Sequence, residues 1–183
     1  MNKLFSLRTS LVVATMLALP VAQAATMTKD DYKAAKTRIG TDYKADKTAC
    51  ATLAGNAKDI CVEEAQAREK VARAELQYSH TNKTSDGYKL RVARAESAYA
   101  VAKEKCDDKA GNVKDVCITE AKAIETKALA DAKLGKEIGE ARNDASVDKR
   151  DADYKVALEK CDALAGAAKD ACVGSAKVQF GKS

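Results

Sequence analysis

All six cysteines of this 183-residue chain fall into three pairs with ten residues between the members: Cys50 and Cys61, Cys106 and Cys117, Cys161 and Cys172. Cys50 to Cys106 is a shift of 56 residues, and Cys106 to Cys161 a shift of 55. The same shifts carry Tyr43 to Tyr99 and Tyr154, Gly55 to Gly111 and Gly166, and Lys58-Asp59 to Lys114-Asp115 and Lys169-Asp170. They also carry Ala65 to Ala121 and Ala176. A fixed period of this length marks stacked supersecondary units that cannot bury their apolar faces alone. Three units are expected, over residues 25–83, 84–138 and 139–183. The last has only eleven residues after Cys172, as a terminal cap would.

The pattern predicts an all-α protein built from elongated antiparallel helical hairpins, coiled-coil-like, with one disulfide per hairpin. The single proline is Pro20, tryptophan is absent, and alanine, lysine, glutamate and aspartate dominate, a composition that favours helix. In the first unit Thr28 and Asp31 have the spacing of a capping pair. Tyr32, Ala35, Ile39, Tyr43, Cys50 and Leu53 then follow at helical spacings on one face. Gly55 suits the left-handed residue after a helix end, and Asn56 suits the N-cap of the next helix, with Asp59 three residues on. The second corner repeats this as Gly111, Asn112 and Asp115, whereas the third has Ala167 in place of asparagine and is expected to be weaker by about 1 kcal/mol. The outgoing helices present Ile60, Cys61, Ala65, Val71 and Ala74, then Val116, Cys117, Ala121, Ile124 and Ala128. A seam this rich in alanine buries little area, so covalent stapling is expected.

Residues Ser79 to Gly87 are polar and rich in turn formers, which predicts a loop between the first two units. The second junction, Leu134 to Ala141, holds Gly135 and Gly139 among helix-forming residues, and the sequence allows either a bend or one continuous helix.

Residues 1–24 place Lys3 and Arg8 before an apolar run from Leu11 to Leu19, then Pro20 and Ala22-Gln23-Ala24, the grammar of a secretory signal cleaved after Ala24. The apolar run falls short of the roughly 20 residues a spanning helix needs, so no membrane span is expected after cleavage, and the mature chain is expected in an oxidising exported space such as a periplasm. Losing Lys3 and Arg8 lowers the net charge from +5 to +3, with both signs mixed along the chain and no basic block. Nucleic acid is therefore not an expected partner.

For the cysteines, the repeat selects local pairing: Cys50 with Cys61, Cys106 with Cys117, Cys161 with Cys172. Each bridge would close a loop of about a dozen residues and contribute about 3 kcal/mol. Two other readings remain: reduced thiols holding a metal, and redox catalysis. Zinc commonly takes four ligands, with close cysteine spacing in structural sites, yet the only histidine, His80, lies in the expected loop, and no Cys-x-x-Cys occurs. No catalytic, cofactor-binding or metal-binding residue is assigned, and no cofactor is expected. Tyr43, Tyr99 and Tyr154, two turns before each first cysteine, read as seam residues with a wet hydroxyl. The Lys-Asp pairs read as helix-start charges. Asn82-Lys-Thr84 matches a glycosylation sequon, relevant only in a eukaryotic secretory pathway.

Tyr99 to Cys117 and Tyr154 to Cys172, with Tyr-x-Val-Ala-x-Glu-Lys-Cys-Asp leading into each corner, resemble a group of small exported proteins of beta-proteobacteria labelled TolA-like or cell envelope biogenesis. The resemblance covers essentially the whole mature chain and implies an envelope role without naming site residues. TolA itself has a long helix of similar composition but a retained membrane anchor and no such cysteine repeat. The expectation is a non-enzymatic exported structural or interaction protein with an envelope or exported protein as partner. A holdase chaperone, or a carrier of metal or ligand through thiols or the tyrosine seam, is the alternative.

Overall fold

The computed structural model describes residues 27–182, and the secretory signal read over residues 1–24 lies outside them. The described residues form five helices and no strand: α1 Lys29–Cys50, α2 Gly55–Thr81, α3 Thr84–Cys106, α4 Gly111–Asp162 and α5 Gly166–Phe180. Each packs on its neighbour in sequence, α1 on α2, α2 on α3, α3 on α4, α4 on α5, and no other pair of described helices touches. Short connections force antiparallel neighbours, so α1 to the first part of α4 form a row one helix thick. The core is correspondingly thin: Leu76, Leu90, six alanines (Ala65, Ala93, Ala95, Ala121, Ala132, Ala176) and the first cysteine of each pair are its buried apolar residues among those described.

The start of α1 follows the expected capping pair. Thr28 Oγ1 accepts the backbone N–H of Asp31 at 3.1 Å and donates its hydroxyl to the Asp31 carboxylate at 2.7 Å. The first-unit reading is corrected at Leu53, which lies in the turn after α1 and is exposed. In the second unit Val116 and Ile124 are exposed as well. On that side α4 touches only α3, and a single neighbour covers the narrow stripe through Cys117, Ala121, Ala128 and Ala132, leaving the flanking Val116 and Ile124 to water.

The expected loop over Ser79 to Gly87 shrinks to Asn82 and Lys83. Asn82 takes the left-handed conformation (φ 52°) and its N–H bonds to the Tyr78 carbonyl at 2.8 Å, so α2 runs on to Thr81. Buried Asp86, in the first turn of α3, accepts the Thr81 hydroxyl at 2.7 Å and the Lys89 ammonium at 2.9 Å. His80 is therefore helical rather than in a loop, and its ring lies 4.7 Å from that of Tyr32. The Lys89 bond, helped by those of Thr81 and Gln77, lowers the Asp86 pKa from 3.8 to about 2. A depressed folded-state value means the network stabilises the fold above the ordinary aspartate value and is lost as pH falls through the folded one. The thermal midpoint of the wild type is expected to drop between pH 4 and pH 2 more steeply than that of Asp86→Asn, as read by circular dichroism. Parallel curves would show that this network does not couple to folding.

The second junction is a continuous helix. The unit boundary placed between residues 138 and 139 falls inside the 52 residues of α4, which serves two hairpins at once. Gly135 and Gly139 lie against side chains of α3: a Cβ on Gly135 would collide with the Arg91 guanidinium, and one on Gly139 would sit 2.7 Å from Thr84 Cγ2. The glycines admit a neighbour; they do not bend the helix.

Candidate functional site

The three corners are built alike. Cys50 is bonded to Cys61, Cys106 to Cys117 and Cys161 to Cys172, with Cα–Cα distances of 5.6, 5.7 and 5.6 Å. All six cysteines are bonded, which the reduced-thiol readings do not accommodate in this state. The first cysteine of each pair is buried and the second half-buried. The carbonyl of the first cysteine accepts a bond from three residues on, from Leu53, Lys109 and Leu164 in turn. Gly55, Gly111 and Gly166 then adopt φ of +57°, +54° and +57°, open to glycine without strain.

Here the capping grammar read from sequence is corrected. The left-handed glycine begins the outgoing helix instead of ending the incoming one, and α2, α4 and α5 start without a side-chain cap. Asn56 reaches sideways, its amide donating to the Glu104 carbonyl at 3.1 Å and to Asp108 at 2.7 Å, and so ties the first corner to the second. Ala167 at the third corner therefore removes no cap that the others possess. The Lys-Asp pairs also divide differently. Asp59, Asp115 and Asp170 fall beyond the first helical turn, whereas Lys114 reaches back to Asp107 at 3.0 Å and Lys169 to Asp162 at 2.8 Å. Each lysine thus closes a second, ionic loop around the disulfide. The first corner has Ala51 where the others have aspartate.

The seam tyrosines are half-buried, and each carries a lysine over its ring: Lys47 on Tyr43 at 5.4 Å, Lys122 on Tyr99 at 4.8 Å, Lys182 on Tyr154 at 6.0 Å. Lys122 is also bonded to buried Glu125 at 2.6 Å, which raises its pKa. Lys182 bonds Asp151 at 2.6 Å and lowers that carboxyl's pKa. For Tyr99 the lysine comes from the following helix and for Tyr154 from just beyond the end of the following helix, pairings that spacing alone does not reveal.

One surface feature was not legible in the sequence. An open groove of about 590 Å³ runs between α2 and α3, lined by Ala67, Val71, Ala98 and Val101 and bounded by the Glu75–Arg94 ion pair at 3.2 Å. Ser97 lies in it, buried, with a hydroxyl that has no hydrogen-bond partner among the described residues. Among the described residues no group of three or more His, Cys, Asp or Glu is placed to hold a metal ion, and no helix is long and apolar enough to cross a membrane. Comparison with known protein families, with characterised proteins and with solved structures finds no match for this chain.

Proposed function

We propose that the protein is an exported, non-enzymatic structural or interaction module of the cell envelope, a scaffold of helical hairpins held by one disulfide each. The observation that carries this reading is the same disulfide, at the same sequence separation of 11, in three corners of a row of helices with little core. Such stapling suits an oxidising compartment and keeps an extended surface rigid where burial alone would not. The resemblance to exported beta-proteobacterial proteins with the same corner motif points the same way. In-cell crosslinking followed by purification is expected to recover a stable complex with an envelope component. Recovery of the chain free of any such component would remove the reading.

The α2–α3 groove and the exposed Val113, Ile124 and Val178 favour a second reading, a holdase for exported chains, which needs apolar surface open to clients. It predicts suppression of aggregation of an unfolded client at stoichiometric amounts. An unchanged aggregation rate would eliminate it.

A further inference from the structure

α4 is covered by α3 at one end and by α5 at the other, and neither reaches the middle. α5 stops at Phe180 because Gly181 takes φ 65° and the N–H of Lys182 bonds back to the Lys177 carbonyl at 2.8 Å, a left-handed cap. Its end reaches α4 at Asp151 through Lys182. α3 begins at Thr84, beside Gly139. Every residue from Ala141 to Arg150 is exposed.

Along this helix Leu134, Ile138, Ala141, Ala145, Asp148 and Ala152 recur at alternating spacings of four and three. That is a heptad seam, with Leu134 at d and Ile138 at a. At 100° per residue the six lie within roughly 80° of one another, roughly 130° around the helix from the α3 side and roughly 170° from the α5 side. Leu134 is 55% and Ile138 43% exposed, so the apolar end of the seam is uncovered by the described residues.

The flanking charges identify what covers it. Glu137 and Asp144 occupy g positions, and Arg142 and Lys149 occupy e positions. In a parallel in-register pair each g residue meets the e residue five positions on in the other helix, so Glu137 faces Arg142 and Asp144 faces Lys149, twice over by symmetry. In an antiparallel pair g faces g and e faces e, bringing like charges together. We infer that residues 134–152 of α4 form a parallel two-stranded coiled coil with the same segment of a second copy of this chain. α3 and α5 lie away from this seam, so both copies carry their hairpins outward. The alanine positions bury little area, and Asp148 at a d position faces Asp148 of the other copy, a like-charge contact that costs stability against the two attractive g–e pairs on each side, so the dimer is a reversible one. This inference stands apart from the scaffold and holdase readings, since it needs no other molecule.

Sedimentation equilibrium of the oxidised full mature chain, from micromolar to millimolar concentration, tests it. The wild type is expected to show a monomer–dimer equilibrium. Glu137→Lys with Asp144→Lys makes every g–e contact repulsive and is expected to weaken association at least tenfold. Adding Arg142→Glu and Lys149→Glu to that variant restores opposite signs and is expected to restore the dimer. All four positions are exposed, so the variants should keep the wild-type thermal midpoint and helix content. A wild type that stays monomeric throughout, or a double variant that associates as well as the wild type, overturns the inference.

Discussion

Replacing Cys161 and Cys172 together by alanine is expected to release α5 while α1 to α3 and the adjoining part of α4 stay folded. α5 has 15 residues, near the length at which an isolated helix is marginal in water. Among the described helices it touches only α4, and its one buried residue is Ala176. A loop of about a dozen residues closed by a disulfide is worth about 3 kcal/mol, more than a single buried alanine can replace. Amide exchange read by mass spectrometry should show α5 losing its protection in the variant and α2 and α3 keeping theirs. Equal protection of α5 in both proteins would show that packing alone holds it.

Leu90→Ala is expected to cost about 3 kcal/mol, the largest effect of any side-chain truncation outside the cysteines. Leu76 and Leu90 are the only buried leucines among the described residues, and they lie on α2 and α3, which pack against each other at the centre of the row. Truncating a buried leucine costs roughly 2–5 kcal/mol, depending on how far its surroundings collapse, and a row one helix thick has few neighbours to close the gap. Ile124→Ala, at a position 66% exposed, should stay within about 0.5 kcal/mol of wild type. Urea unfolding of the two variants, side by side, measures the contrast. A Leu90→Ala loss no greater than that of Ile124→Ala would mean that α2 and α3 are held by something other than this core.

Helix content and the places where the corners fall could be read from residues 43 to 61 and their repeats, because periodicity, glycine and cysteine all act locally there. What escaped the sequence depends on neighbours. Asn56 has the chemistry of an N-cap, but Asp108 and the Glu104 carbonyl lie within its reach and take its amide. The stretch from Ser79 to Gly87 has loop composition, yet one left-handed asparagine and the Asp86 network let two helices meet across two residues. Val116 and Ile124 have core chemistry, but no described helix covers them. The third corner was expected to be weakest for want of asparagine; the short span of α5 now gives it that place for a different reason. The α2–α3 groove could not be foreseen, since its lining comes from two helices whose register only the fold defines.

The continuity of α4 makes the molecule a gauge of distance. The first two corners lie at one end of the row, while the third is carried along α4 from Gly111 to Asp162, roughly 75 Å away at 1.5 Å per residue. That separation is set by a count of residues in the uncovered stretch. Seven residues added near Ser146 would lengthen it by roughly 10 Å and turn α5 by only about 20°, whereas five would swing α5 about 140° around the axis. Span and facing angle are thus coupled to the same short segment, and length can change with little reorientation of the far hairpin only in steps close to whole numbers of turns, such as roughly seven, eleven or eighteen residues.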